Sequence, residues 1–352
     1  MTTKNITRVS KTNLEQFVAK VFQTAGIEQE HSEVVAKHLV LANLRGVDSH
    51  GVTRVNNYIQ RLESGVVNKN HDMKIIKDLP SSVLIDGANQ LGIIVATEGI
   101  RIAVQKAKET GLCIVGIKHS NHCGMLADYT NYAVENDCIA LATTNAPSNM
   151  APWGGKERYF GTNPISYGVP GGSAGNIIFD MATSVVARGK IKLAVKNSQD
   201  IPLGWALTKD GEATTDANAA MDGIVLPVGG PKGYGLAFFA EVLSGLFTGA
   251  GFATNLGRPE DLTKNQNVGQ FFFVMRADLF EELDTFKERM ELMAEEIKQV
   301  PLAKGFDRIY LPGEIENEIA LDRVENGIPL TTEVMEELLK VGEQYGVHGL
   351  LD

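Results

Sequence analysis

At 352 residues the chain is long enough for roughly two compact units of about 150 residues, which excludes a peptide or a lone small module. Hydrophobic residues make up 43% and charged residues 22%, proportions that argue against both disorder and membrane residence. The 33 basic against 43 acidic residues leave a net charge of -10, which repels a polyphosphate backbone and speaks against nucleic acid as a partner.

The 36 glycines are scattered and predict many tight turns. Three cysteines, Cys113, Cys123 and Cys138, form no Cys-x-x-Cys pair, so neither a disulfide framework nor a thiolate zinc site is expected and a reducing compartment fits. Residues 1–13 are polar, with no hydrophobic signal core, and no apolar run is long enough to span a bilayer; the expected location is the cytoplasm.

In chain order, Thr12-Asn13-Leu14-Glu15 reads as a capping box, and Leu14, Phe17, Val18, Val21, Phe22 and Ala25 then recur at helical spacing until Gly26. A second helix is predicted over residues 29–45, stopped by Gly46. After a short polar loop a third helix, opening near His50, carries Val52, Val55, Ile59 and Leu62 up to Gly65. From Ser81 the texture alternates: strand 82–86, helix 92–108, buried strand 112–117, helix 125–135 and strand 138–143. Residues 145–175 hold so many Gly, Pro and Asn, interleaved with Trp153, Tyr159 and Phe160, that they read as one long irregular binding loop. A strand over 177–179 then delivers Asp180 at its end. Helices follow near 185–195 and over 233–247, the second strongly apolar and expected to be buried, then strand 270–275 and helices 284–299 and 333–344.

The dinucleotide fingerprint Gly-x-Gly-x-x-Gly is missing, and Gly229-Gly230-Pro231-Lys232-Gly233 lacks the spacing of a Walker loop. Gly171-Gly172-Ser173-Ala174-Gly175 matches the nucleophile elbow of serine hydrolases literally, but Pro170 before it and a β-branched run after it favour a simple turn. His50, Arg54 and Tyr58 are spaced i, i+4, i+8, so a helix would stack them on one stripe away from its apolar side, offering a proton donor, a carboxylate fork and a hydroxyl to a cleft; the alternative is a solvated face. His119 and His122 flank a strand-to-helix loop, where one imidazole could take an alcohol proton or simply satisfy a turn; no third ligand nearby suggests a metal. Lys232, at the start of an apolar helix, could meet a phosphate or be an ordinary surface residue.

Six segments in order, Asp48-Ser49-His50-Gly51-Val52-Thr53-Arg54, Asn121-His122-Cys123-Gly124, Gly161-Thr162-Asn163-Pro164, Phe179-Asp180-Met181-Ala182-Thr183-Ser184, Gly230-Pro231-Lys232-Gly233-Tyr234-Gly235 and Leu311-Pro312-Gly313-Glu314, resemble the malate/L-lactate dehydrogenase family of the non-Rossmann type. That family also includes ureidoglycolate, sulfolactate and diketogulonate relatives, and the similarity runs over almost the whole chain. The resemblance implies a homodimer with an active site near the subunit boundary. It implies an α/β fold with a mixed sheet and a non-Rossmann NAD(P)-binding site, beside a helical domain built from the N- and C-terminal segments.

By the same resemblance Arg54 and Tyr58 face the substrate, and the proton is moved either by His122 or by a relay of Ser49, His50 and Asp180. Asp180, Met181, Ala182, Lys232, Gly233, Gly313 and Glu314 would touch the dinucleotide, NAD or else NADP. Cys123 stands where members often carry Phe or Ser. The expected division is a helical domain of residues 1–75 joined by 280–352, and a cofactor-binding domain of 76–279 with a helical part at about 183–265. The expected activity is NAD(P)-dependent interconversion of a small 2-hydroxy acid, of the malate, lactate, sulfolactate or ureidoglycolate type, and its 2-oxo acid. The rivals are a serine hydrolase using Ser173 and a non-catalytic dinucleotide-binding dimer.

Overall fold

The first helix starts two residues before the capping pattern predicts. In the computed structural model, which describes residues 6–70 and 72–351, Ser10 is extended (φ −64°, ψ 148°) and accepts from the Asn13 N–H. Residues 1–5 of the predicted N-terminal polar segment and helical domain, His71 and Asp352 lie outside the described residues. After strand β1 (Ile6–Val9), helix α1 (Lys11–Thr24) buries Leu14, Phe17, Val18, Val21 and Phe22, as their spacing requires. Helix α2 (Gln29–Leu44) follows closely where it is predicted. The third helix does not open near His50: two 3-10 turns, Asp48–His50 and Val52–Arg54, precede α3 (Val55–Glu63).

Strands β2 (Lys74–Leu79) and β3 (Ser82–Asp86), helix α4 (Gly92–Thr110), strand β4 (Leu112–Ser120), helix α5 (Ala127–Val134) and strand β5 (Cys138–Thr144) come next. The long loop predicted over 145–175 contains a strand, β6 (Ile165–Val169), in which Ser166 and Gly168 are buried and Tyr167 faces out. Its alternation is short and masked by flanking Gly and Pro. Strand β7 (Ile177–Met181) extends past its predicted end, so Asp180 lies within it.

Helix α6 (Arg188–Lys196), short strands β8 (Ala206–Leu207) and β9 (Ala213–Thr214), helix α7 (Ala217–Asp222), strand β10 (Ile224–Val225) and helix α8 (Pro231–Glu241) form the middle segment. A π turn, Val242–Leu246, continues α8. This stretch is not the buried helix expected: Phe238, Phe239 and Phe247 are 50%, 54% and 69% exposed. Strand β11 (Val268–Arg276), helices α9 (Leu283–Gln299) and α10 (Glu314–Asn326), strand β12 (Ile328–Thr331) and helix α11 (Thr332–Tyr345) complete the chain.

Seven strands form one mixed sheet in the order β2-β3-β4-β11-β5-β6-β7, parallel at β3–β4 and antiparallel elsewhere. The single parallel pair is joined by α4, because parallel neighbours need a crossover. Alternate residues of β4 and β11, among them Cys113, Val115, Ile117, Phe272 and Val274, pack against α4 and α5 in one core. A second core joins both ends of the chain, Phe17, Phe22, Leu39 and Ile59 meeting Leu330, Leu338 and Val341, and β1 pairs antiparallel with β12. A third gathers Met150, Phe160, Ile191, Ile201 and Ala237.

These cores are the basis on which we propose the division into 1–75 with 280–352, and 76–279 with its helical part at 183–265. Within 280–352, however, α9 packs against the turn Gly172–Ala174 beside β7. Among the described residues no helix is long and apolar enough to cross a membrane.

Candidate active site

The segment after β4 is held from the neighbouring strand. Asn121 is 97% buried: its side-chain amide donates to the Gln90 carbonyl (2.7 Å), and its backbone carbonyl accepts from the Gln270 side chain of β11 (3.0 Å). Gln266, just before β11, accepts the His122 N–H (2.9 Å). Buried His38 of α2 binds Asp128 through Nδ1 (2.6 Å) and accepts the Met125 N–H at Nε2 (3.0 Å). A Cβ on Gly124 would lie 2.1 Å from that Nε2, at a φ of +72°, so only glycine fits there. These contacts carry His122 to the rim of a cleft of about 1180 Å³.

The opposite wall comes from the 3-10 turns. Buried Asn43 accepts the Val52 N–H (2.8 Å) and donates to Asp48 (2.7 Å), while Arg323 of α10 also pairs with Asp48. Gly51 is required because a Cβ would sit 2.1 Å from the Asn43 oxygen. The result is that Ser49, His50 and Arg54 line the cleft with His122, and the two imidazoles stack at 5.4 Å. The Arg54 Nε donates to the Ser49 carbonyl (2.7 Å), leaving the end of the guanidinium without a protein partner among the described residues.

Tyr58 does not share this wall. It is 4% exposed within the core of the two chain ends, and its hydroxyl lies 2.6 Å from His122 Nδ1, behind the ring. The expected stripe fails because His50 and Arg54 sit in 3-10 turns, where successive side chains advance by about 120° rather than 100°. His119 also leaves the site, turning at the end of β4 to pair with Asp86 (2.9 Å). Cys123 faces the core, where burial pushes its thiol up to about 12, and does not line the cleft.

Asp180, Met181, Ala182 and Gly313 line the cleft. A Cβ on Gly313 (φ +86°) would meet the Ile178 carbonyl at 2.5 Å, so this backbone approach to β7 depends on glycine. The Asp180 carboxylate, open to cleft water yet crowded by protein, is pushed up to about 6 by desolvation. It accepts the Ala127 N–H (2.8 Å) and has no hydrogen bond to Ser49 or His50. Ser49 and His50 do pair (3.0 Å), so the Ser-His-Asp relay is assembled only in its first two members.

Lys232, Gly233 and Glu314 are not on the cleft wall of this chain. Lys232 is exposed on the first turn of α8, Gly233 is required against the Val228 carbonyl (2.1 Å to a Cβ), and Glu314 is engaged by the Leu311 N–H (2.8 Å) and by Lys298. Ser173 sits exposed on the turn between β6 and β7, its N–H donating to Glu291; an elbow needs a strand before it and a helix after, so the hydrolase reading lacks its context. Sequence reasoning missed Arg45, Arg188, Lys192 and Arg258, which also line the cleft. Arg45 is 9% exposed, with no partner for its Nε among the described residues. Nothing in their local spacing marks them.

Burial, then the charge of Arg54, lowers His50 to about 4 and holds His122 well below its ordinary value. Both rings are therefore neutral at neutral pH. Because the unfolded chain takes up a proton first, His50 contributes stability above its ordinary 6.5 that is lost as pH falls toward about 4. His122 acts in the same direction and Asp180, raised in the folded state, in the opposite one. His50→Gln is expected to reduce the loss of unfolding free energy across that acid range in urea titrations; an unchanged slope would disprove the assignment.

A family profile described as malate/L-lactate dehydrogenase matches residues 9–339. A malate dehydrogenase of Pyrococcus horikoshii is 38% identical over 99% of this chain and 98% of its own length. A ureidoglycolate dehydrogenase (NAD(+)) of Escherichia coli is 31% identical over 94% and 95%. The solved structure of a sulfolactate dehydrogenase from Methanocaldococcus jannaschii superposes with a TM-score of 0.92 at 34% identity, covering 97% of this chain and 98% of that one.

Proposed function

The chain belongs to the malate/L-lactate dehydrogenase family and is an enzyme acting on a CH–OH group with NAD(P); from that premise we propose that it interconverts a small 2-hydroxy acid bearing a second anionic group and the corresponding 2-oxo acid. The observation that carries this reading is the meeting of the outer guanidinium nitrogens of Arg54, unpartnered among the described residues, with two neutral imidazoles, His50 and His122, in one cleft.

Arg54 pairs the carboxylate beside the reacting carbon, as a planar fork does best. His122 exchanges the hydroxyl proton, and Ser49 orients His50 beside it. The cleft exceeds the roughly 300–1000 Å³ typical of small-ligand pockets, and Arg45 offers it an unpartnered buried nitrogen; both suit a dinucleotide beside a small acid. Arg45, with Met181, Ala182 and Gly313, would hold the cofactor, whose nicotinamide gives or takes a hydride when bound.

Arg188, Lys192 and Arg258 add positive charge to the same cleft, and we assign the second acid group of the substrate to them. That choice favours substrates of the malate or sulfolactate kind over lactate or ureidoglycolate. A panel of 2-oxo acids followed by reduced-nicotinamide absorbance should show the dianionic members turned over at least about tenfold more efficiently than pyruvate. Preference for pyruvate would reject the second-anion assignment; no turnover of any member with NADH or NADPH would reject the dehydrogenase reading. A homodimer is also proposed, supported by the exposed Phe238, Phe239 and Phe247, which a second copy would cover.

A further inference from the structure

We propose that Tyr58 is a positioning residue that sets the tautomer of His122, fixing the neutral ring with its proton on Nε2 and thereby presenting a donor to the oxygen of a 2-oxo acid. The inference deepens the dehydrogenase reading and rests on it for its consequence in binding. Two groups meet at His122 Nδ1. The Gly124 backbone N–H, which can only donate, lies 3.4 Å away, and the Tyr58 hydroxyl 2.6 Å away. A nitrogen that accepts the Gly124 N–H cannot itself carry hydrogen, so the ring proton of neutral His122 resides on Nε2 and the Tyr58 hydroxyl, which can donate or accept, donates to Nδ1.

The geometry gives Tyr58 no other task. Its body is packed in the core formed by the two chain ends, it does not line the cleft, and His122 is its sole hydrogen-bond partner among the described residues. Desolvation raises the phenol well above its ordinary value, so the hydroxyl stays protonated and does not serve as an acid itself. The opposite tautomer, with hydrogen on Nδ1, would point two hydrogens at each other from Gly124 and the ring. It would also leave the Tyr58 O–H with no acceptor, an unsatisfied buried donor.

The residue is held for this role from its backbone as well, through the bond from the His122 backbone N–H to the Gln266 side chain. The neutral site thus offers a hydrogen bond to a carbonyl oxygen rather than a lone pair to a hydroxyl. With a 2-oxo acid bound, the cationic ring gives its Nε2 proton to the carbonyl oxygen, while a reduced nicotinamide would supply the hydride to the carbonyl carbon. The N–H bond at Nε2 breaks and the O–H bond forms. The proton left on Nδ1 then points at the Tyr58 oxygen, which turns to accept it, and one solvent proton entering through the cleft at Nε2 restores the cation. Oxidation needs the less favoured neutral tautomer first.

The deciding measurement is the ¹⁵N spectrum of histidine-labelled, ligand-free enzyme above neutral pH, with His122 assigned by its loss in His122→Asn. The expected spectrum shows a protonated Nε2 and an imine-type Nδ1 in the wild type, and a shift toward the other tautomer in Tyr58→Phe, which keeps the aromatic packing. A wild-type ring protonated on Nδ1, or an Nε2-protonated ring unchanged in Tyr58→Phe, would overturn the proposal. In binding assays the preference for oxamate, a 2-oxo acid mimic, over the 2-hydroxy acid should fall about tenfold in Tyr58→Phe, the effect of one hydrogen bond; an unchanged ratio would reject its consequence. The spectrum requires no turnover, so the tautomer assignment can stand even if the substrate panel fails, and it can fail while the panel succeeds.

Discussion

Arg54→Ala is expected to lower kcat/KM for the preferred acid by about 100- to 1000-fold, the loss usual when one partner of a desolvated charge pair is removed. The side chain has two separable duties. Its Nε holds the Ser49 carbonyl, which a smaller residue would release, and its terminal nitrogens have no hydrogen-bond partner among the described residues and so remain for a ligand. Arg54→Lys keeps the charge but not the planar fork, so it should recover only part of the loss. Reduced-cofactor affinity, measured by nicotinamide fluorescence, should stay within about threefold of wild type, because Arg45 and the strand bearing Met181 do not depend on Arg54. Equal loss of cofactor and substrate binding would refute the carboxylate clamp. Removing this cation should also raise the proton affinity of both imidazoles, since it is the largest charge opposing their protonation.

His122→Asn should cost kcat about 100- to 10,000-fold, the usual contribution of a positioned proton donor or acceptor. The neighbouring geometry tells how the loss should depend on pH. In the wild type His122 protonates only well below its ordinary value, so oxidation of the 2-hydroxy acid should hold its rate from neutrality into mild acid before falling, while reduction should strengthen as pH drops. The variant should lose both acid-side limbs. His50, 5.4 Å from His122 between ring centres, is the competing candidate, and burial lowers it to about 4. Retained turnover in His122→Asn with a limb near that value would transfer the proton step to His50.

Much of this site is legible in the linear chain, but unevenly. Ser49, His50 and Arg54 stand in one short segment, and a polar loop before a helix is a pattern that spacing reveals. His122 follows a buried apolar strand, and its place at the end of that strand could be anticipated from texture alone. The distant supports could not. Asn43, Asp128, Gln266, Gln270 and Arg323 come from five separate elements or loops, and each matters because its polar atom reaches one particular backbone group or side chain. Single polar residues of this kind leave no period in a sequence.

The sequence by itself determined the helices and strands with strong alternation or 3.6-residue spacing, the absence of the common dinucleotide fingerprint, the family resemblance and the candidate proton and carboxylate groups. These are properties of composition and near neighbours, where propensity and periodicity act. Only the tertiary structure decided that Tyr58 stands behind His122 and off the cleft wall, that Asp180 is bound to a backbone N–H and not to His50, that Lys232 and Glu314 lie off that wall, and that Arg45 and Arg258 lie on it. The direction in which a side chain points depends on the local turn geometry and on which strand lies beside it. A tight 3-10 turn before α3 and the antiparallel placement of β11 against β4 set those directions, and both arise from packing between segments far apart in the chain.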